Sequence, residues 1–468
     1  MDDSNIRVNY TPGRLPTFWD RSVIFFANLM ALFYGNEGAT QELTDCVGGV
    51  ETYGGRLCPL INVLFAGGEN LLVLESEPDE ALLQYFAQEL DLDLPEVVVL
   101  PHSRYLDLAE ILATHVQADN ICPSLDPALE ESDDSATLRI SRHPAKWIDG
   151  FVTDEVLTDA ARILDKQTII VPAASHCGNN KLRLHRFLEQ AGFPTFDTVI
   201  IDSAQEFPRA AETLRQMGYR KIVAKAQVGA SGIGMHKFDS ATPAIDVLGE
   251  TMFYEGEVLV QGWLDASCEE IESIGSPSMQ LFLDETTANI YDVTEQILSE
   301  ESVHEGNCSP PPFWCPEIES QMHEQTAAVC RWLHENGYRG TASVDFLVVK
   351  RKGEFRVFVC EVNARVTGAT YPSVLARRFC PEGHWLMRNL RIDVPIPSAE
   401  LLANLRDNAH LLNSESKQGV LPVNFNLHDD GLVSKGQFLC VGADEHTCLE
   451  YLMEAAAVLP VKWTYDRD

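Results

Sequence analysis

The 468-residue sequence has no Cys-x-x-Cys pair, no Gly-Lys-Ser/Thr phosphate loop, no Gly-x-Ser-x-Gly elbow and no apolar run long enough to cross a bilayer. These absences argue in turn against a zinc ribbon, a Walker-type nucleotide site, an α/β-hydrolase nucleophile and a membrane span. The longest nearly uninterrupted apolar stretch, residues 23–34, reads as a buried helix. Met1-Asp2-Asp3-Ser4 is acidic and lacks the order of a secretory signal, so a cytoplasmic location is the expectation. Basic residues are scarce: 35 against 70 acidic ones, for a formal charge of −35. Nucleic acid and anionic membranes are therefore excluded as main partners, and any anionic ligand must be met by local Lys, Arg or backbone N–H groups. The twelve cysteines are scattered and read as small buried hydrophobes in a reducing compartment. One cluster, His304, Cys308 and Cys315 around a proline run, was weighed as a metal site, but its spacing fits none of the usual zinc patterns.

What is present suffices for several structural units, since 45% of the residues are hydrophobic. Residues 1–179 alternate short apolar strands (71–74, 97–100, 168–171) with helical stretches (80–90, 105–116), the pattern of a parallel α/β sheet. The Pro-, Asp- and Ser-rich segment 119–135 reads as a loop. Residues 180–263 open with a helix stopped by Gly192, followed by strand, helix and strand, an α+β unit. Residues 264–395 alternate strands (279–283, 342–349, 355–362) with a long helix at 317–336. Residues 396–468 form a small α+β cap without a catalytic motif.

Two stretches carry chemistry. In the first, a strand ending at Lys225 leads into Ala226-Gln227-Val228-Gly229-Ala230-Ser231-Gly232-Ile233-Gly234. Such a loop lets backbone N–H groups approach phosphate oxygens while the lysine supplies charge, although a Gly-rich hairpin turn has the same composition. In the second, two strands joined by a charged turn bring Asp345 toward Glu361, and a period of two places Glu361, Asn363 and Arg365 on one face. Polar groups converging there suit Mg²⁺, a hard cation taking carboxylate and amide oxygens; a solvated face with an ion pair is the plainer alternative. Arg365 offers a planar fork to a phosphate or carboxylate.

Lys225 with the glycine loop, then Val258-Leu259-Val260-Gln261-Gly262-Trp263-Leu264, then Asp345, then Glu361-Val362-Asn363-Ala364-Arg365, resemble the ATP-grasp superfamily in order and spacing. The resemblance spans about residues 180–378. It implies an N-terminal α/β domain preceding an ATP-grasp fold of two α+β lobes with a small C-terminal α+β cap. It further implies that Lys181 and Lys225 contact the phosphates of ATP and that Gly229, Ser231, Gly232 and Gly234 form a phosphate lid. Gln261, Gly262, Trp263 and Leu264 become the adenine hinge, although plain core packing accounts for the Trp263 ring. Asp265 or Glu269 meets the ribose. Asp345, Glu361 and Asn363 hold Mg²⁺, and Arg365 stabilises the transferred phosphoryl group. Lys181 also reads as a solvated residue at a helix start.

Within the superfamily, Asn363-Ala364-Arg365-Val366-Thr367-Gly368-Ala369-Thr370-Tyr371-Pro372 and the long N-terminal section are most similar to stand-alone peptide ligases of the pheganomycin-synthesis type. The sequence departs from D-alanine ligases at Ser343, where they carry Arg. It departs from biotin-dependent carboxylases at Asp345, where they carry Glu, and in the residues after Arg365. The resemblance therefore implies an ATP- and Mg²⁺-dependent ligase joining a small carboxylic acid to an amine, such as an amino acid or peptide, through an acyl phosphate. Two alternatives stand beside it: a carboxylase or synthetase acting on a phosphorylated substrate, which needs a basic pocket not visible in the sequence, and a silent nucleotide-binding regulator. Arg142, His143 and Lys146, with Arg56 and Arg104, are further candidates for substrate contact, and a homodimer is the default assembly.

Overall fold

In a computed structural model, the described residues are 6–33, 35–46, 49–121, 135–230, 232–245, 248–265, 268, 271–299, 304–428 and 430–460. They build three sheets. The first is parallel, with strands in the order Glu96–Val99, Leu71–Leu74, Val23–Phe26, Trp147–Gly150 and Gln167–Thr168. The expected helix over residues 23–34 is corrected here: Val23–Phe26 is the central strand, and Leu29–Phe33 is a 3-10 turn. All four strand residues are buried, and a strand covered on both faces is continuously apolar, which hides its period of two. The strand expected at 168–171 stops at Thr168, because Pro172 starts a helix and holds Val171 extended as its N-cap. Of the segment expected as a loop, 119–121 end the helix Leu108–Ile121, Ser135 begins the next helix, and the rest lies outside the described residues, as do Met1 to Ser4.

The second sheet runs Thr198–Ile201, Val258–Gly262, Lys221–Lys225, Met235–Asp239, all antiparallel. The third has ten strands. Its path is Ile271–Gly275, Gly340–Arg351, Pro277–Leu283, Thr287–Leu298, His304–Ser309, His384–Pro397, Leu432–Gly442, Gly419–Leu427, with Glu354–Asn363 paired to Gly340–Arg351. Arg7–Tyr10 adds a strand parallel to Thr287–Leu298, so the chain visits this sheet before it enters the first.

The large sheet has two unlike faces. Met279, Val344 and Val362 bury against the helix Pro316–Glu335, which presents Met322, Val329, Cys330 and Leu333. Alternation sends Ser278, Gln280, Asp292, Thr294, Ser343 and Asp345 to the other side, where all but Asp345 are almost fully buried. Such a face is stable only if its polar groups are paired. Asp292 shows how. It accepts from Arg377 Nη2 at 2.8 Å and Nε at 3.1 Å, from Ser373 and Ser309 at 2.7 and 2.9 Å, and from Trp385 Nε1 at 3.0 Å. This network ties the helix Thr370–Phe379 to the sheet just beyond Arg365. No helix among the described residues is long and apolar enough to cross a membrane.

Removing one member of a fully satisfied buried pair leaves the other charge without compensation. Asp292→Ala and Arg377→Met should each lower unfolding stability by roughly 3–5 kcal/mol in urea titrations. A loss below about 1 kcal/mol in both would mean that the pair does not hold this helix.

Candidate functional site

The site is assembled from three chain segments. The helix Lys181–Ala191 begins at Asn180, whose side chain accepts from Arg183 N and donates to Gln227 Oε1 at 2.9 Å. Lys181 N donates to Gln227 O at 2.8 Å, so the helix start is fastened to the chain leaving Lys225. Beyond Gln227 the chain turns tightly, with Ala226 N bonded to Gly234 O at 2.8 Å. Gly234 has φ +74°, and a Cβ on Gly229 would lie 2.5 Å from Ile233 O, so glycine is required at both. That same Cβ position lies 3.5 Å from Lys181 Nζ, which places the ammonium against the loop backbone. Ile233 is buried among Met30, Phe33, Leu43 and Val50, so the loop tip is seated on the N-terminal section. Ser231 lies outside the described residues.

The second segment is the hairpin of the large sheet. Asp345 stands opposite Glu361, and Ser343 opposite Asn363. The register then slips: Phe346 faces Val359, leaving Cys360 as a bulge. The bulge lets Val359 and Val362 both reach the apolar face while Glu361 and Asn363 stay on the polar one. Lys181 Nζ pairs with Glu361 Oε1 at 2.8 Å. Burial alone would raise the Glu361 carboxyl, but Lys181, then Arg365 and Lys225, hold it below its usual range. Asp345 accepts from Ser278 Oγ at 2.6 Å, Ser343 Oγ at 3.2 Å and Asn363 Nδ2 at 2.9 Å. Burial, followed by the charge on Glu361, pushes it up to about 6. Lys225 is depressed chiefly by burial, also by Lys181, and its Nζ sits 5.6 Å from the Phe196 ring, which stacks on Phe358 across the two lobes.

The expected hinge is only partly open to a ligand. Gly262 N donates to Asp197 O and Trp263 N to Lys221 O, and Gln261 is buried within the central strand, bonded to Thr198. Leu264 is the first residue past these bonds. Trp263 carries Lys237 Nζ 4.3 Å above its ring. Asp265 is ion-paired with Lys221 at 2.8 Å, and Glu269 lies outside the described residues. Among the described residues no three His, Cys, Asp or Glu side chains converge as metal ligands, so His304, Cys308 and Cys315 form no centre; His304 instead bonds Asn307 at 2.6 Å.

The third segment supplies Arg365. Its strand ends at Asn363, and Arg365 Nη1 donates to Asn179 Oδ1, which also accepts from Ala364 N. Arg365 lines a cavity of about 20 Å³ with Tyr338, Thr341 and Phe151, and with a residue the sequence reading passed over, Asp149. His143 and Lys146 lie at the other end of the Trp147–Gly150 strand, where Lys166 Nζ bonds His143 O. In a parallel sheet the C-terminal strand ends face the site, and Asp149 is at that end. Ser278 and Asn179 were likewise missed, because a lone Ser or Asn gives no signal until a fold surrounds it.

No protein-family model matches the chain. Among solved structures, the fold is similar to N5-carboxyaminoimidazole synthetase of Staphylococcus aureus, solved with ADP, at a TM-score of 0.53 and 12% identity over 95% of this chain and 100% of that one. It is similar also to biotin carboxylase of Campylobacter jejuni in an ATP-analogue complex, at a TM-score of 0.54 and 13% identity over 94% and 92% of the two chains. This is an ATP-grasp fold. In sequence, the chain is 27% identical over 225 residues to the butirosin acyl-carrier protein–L-glutamate ligase of Niallia circulans, covering 47% of this chain and 51% of that protein. The chain thus spans about half the length of the curated relative it matches.

Asp149 generates a test by pH. Burial raises its carboxyl from 3.8 to about 7, opposed by a hydrogen bond from the Gly150 backbone. Between those values the folded chain keeps the proton and the unfolded chain loses it, so folded stability must fall as pH rises through this window. Asp149→Asn lacks that loss, and its stability advantage over the wild type should grow by roughly 1–4 kcal/mol between pH 4 and pH 8. Denaturation curves at the two pH values check this; a constant difference would place the Asp149 carboxyl in water.

Proposed function

We propose that the protein is an ATP- and Mg²⁺-dependent carboxylate–amine ligase that forms an amide through an acyl phosphate and releases ADP and phosphate. The observation carrying this reading is the meeting of Lys181 with both Glu361 and the Gly229 loop, beside Asp345, Asn363, Lys225 and Arg365. The name of the relative, a ligase joining L-glutamate to an acyl-carrier protein, supports the amide chemistry, with a small carboxylic acid and an amino acid or peptide as the substrate classes.

The residues fit a magnesium ion. Asp345 and Glu361 with the Asn363 amide are hard oxygen donors, and the upward push on the Asp345 carboxyl by burial and its neighbour's charge marks a position where a cation relieves repulsion. Mg²⁺ bound there supplies charge neutralisation for the phosphates. Lys181 and Lys225 with the loop N–H groups hold the phosphate chain of ATP, while a substrate carboxylate oxygen attacks the γ-phosphorus. Arg365, fixed by Asn179, faces the charge that builds on the transferred phosphoryl group and on the tetrahedral adduct when the amine attacks the acyl carbon. Asp149, which lines the same cavity, takes the amine's proton as the C–N bond forms and phosphate leaves. The Ile233 contact keeps the loop over the intermediate and water away from it.

The test is to incubate the protein with ATP, MgCl₂ and a panel of amino acids, dipeptides and small acids, singly and in pairs, following phosphate release and product mass. Release that needs a pair, with a product one water lighter than the sum, meets the reading; Mg²⁺-dependent ATP binding without release from any pair points to a silent regulator. In the active pair, Glu361→Gln should lower kcat at least about 100-fold. Unchanged turnover would remove Glu361 from the site. Ile233→Ser should loosen the loop, so that phosphate release outruns amide formation; a one-to-one ratio in that variant would show that the loop does not exclude water.

A further inference from the structure

The polar face that carries Asp345 continues past Arg365 toward the C-terminal strands. There Arg391 stands directly opposite Lys435. Like charges in that position repel, whereas the neighbouring pair on the same face, Asn389 and Gln437, is neutral and bonded at 2.8 Å. Arg56, from the N-terminal section, joins them. It is only 8% exposed, its guanidinium lies 3.8 Å from the Tyr53 ring, and its Nε is buried without a hydrogen-bond partner. Partial desolvation, then Arg56 and Arg391, depress the Lys435 ammonium, while Arg391 and Lys435 both remain exposed to an incoming ligand. None of the three forms an ion pair among the described residues, in a chain whose formal charge is −35. The cluster is also continuous with the site: the Tyr53 and Tyr371 rings lie 6.2 Å apart, and both Arg56 and Arg365 act on Tyr371. A chain so rich in carboxylates gains no stability from a cross-strand cation pair near a buried guanidinium with an unpartnered Nε, so the arrangement calls for an anion.

We propose that Arg56, Arg391 and Lys435 bind a second, non-reacting oxyanion of a substrate, a phosphate or carboxylate borne on the molecule that reacts at Arg365. Its connection to a reacting substrate rests on the ligase reading; binding of the anion does not. The anion would satisfy Arg56 Nε and relieve the Arg391–Lys435 repulsion, which a carboxylate of the chain itself would otherwise do.

The test uses the full chain saturated with MgADP, so that the nucleotide site is filled. Inorganic phosphate, compared with chloride at equal ionic strength, should raise the melting temperature of the wild type. Lys435→Gln and Arg391→Gln should each weaken phosphate binding about tenfold or more. The same variants, melted without phosphate, should be at least as stable as the wild type, because they remove a repulsion. A purely structural role would move both readouts in the same unfavourable direction. Pantetheine 4′-phosphate and L-glutamate, used as separate probes, distinguish a phosphate-bearing from a dicarboxylate substrate by which one loses affinity in the variants. Phosphate protection no greater than that of chloride, or equal protection of all three proteins, as phosphate seated beside ADP would give, overturns the proposal. Because no turnover is needed, an inactive panel assay leaves this outcome readable. If a substrate pair is found, Lys435→Gln should raise KM for one partner with kcat little changed.

Discussion

Two carboxylates held side by side on one sheet face must be compensated, and the compensation organises the rest of the site. The Asp345–Glu361 register fixes the problem, and Lys181 supplies part of the answer at 2.8 Å. Lys181 can do so because Asn180 and Gln227 lock its helix start to the chain leaving the Lys225 strand. The lysine of one lobe thus depends on a carboxylate of the other, and each lobe is held by its own backbone. Lys181 is the side chain shared by the glycine loop and the acidic pair. Asp345, left with neutral donors only, has its carboxyl pushed up to about 6, so its ionised form is disfavoured beside Glu361 and the pair is receptive to a cation.

The same logic explains how a strongly acidic chain handles anions. Its overall field repels them, so a few of its cations are held in sheltered positions where they can act locally. Lys225 and Arg56 show this confinement, one beside stacked aromatic rings and the other on a tyrosine face. Aromatic contacts suit such cations because they stabilise the charge without consuming it in a salt bridge. Where the chain needs a permanent buried pair instead, as at Asp292 and Arg377, every lone pair and N–H is met by neighbours.

The hairpin that sets Asp345 opposite Glu361 was legible in the sequence because its spacing is local: strand, turn and strand, with a period of two. What alternation could not reveal was the bulge at Cys360, which allows Val359 and Val362 to share a face. Residues 23–34 were misread because a strand buried on both sides carries no period at all. Asp149 was hidden for another reason. It is a lone acid between apolar residues, and only the parallel sheet shows that it stands at the cleft end of its strand while His143 and Lys146 stand at the other. The basic cluster as a whole was not visible in the sequence, since Arg56 lies more than three hundred residues before Arg391 and Lys435, which meet only through strand pairing.

That last point bears on how the fold should be read for function. At 12% identity, a shared fold with a carboxyaminoimidazole synthetase and, at 13%, with a biotin carboxylase says how the chain is folded, not what is joined. The residues that differ are the informative ones. Ser343 donates to Asp345, so the acidic pair here is tuned by hydroxyls and by the charge of Lys181 on Glu361. Beyond Arg365 the chain places three cations that the acidic pair does not use. A substrate with one reacting group would leave them unemployed, whereas a substrate anchored at its far end could pass its reacting group to Arg365 with little freedom left to lose. Anchoring at a distance restricts motion at the reacting centre, and remote binding of that kind lets a site without a nucleophilic side chain reach a useful rate.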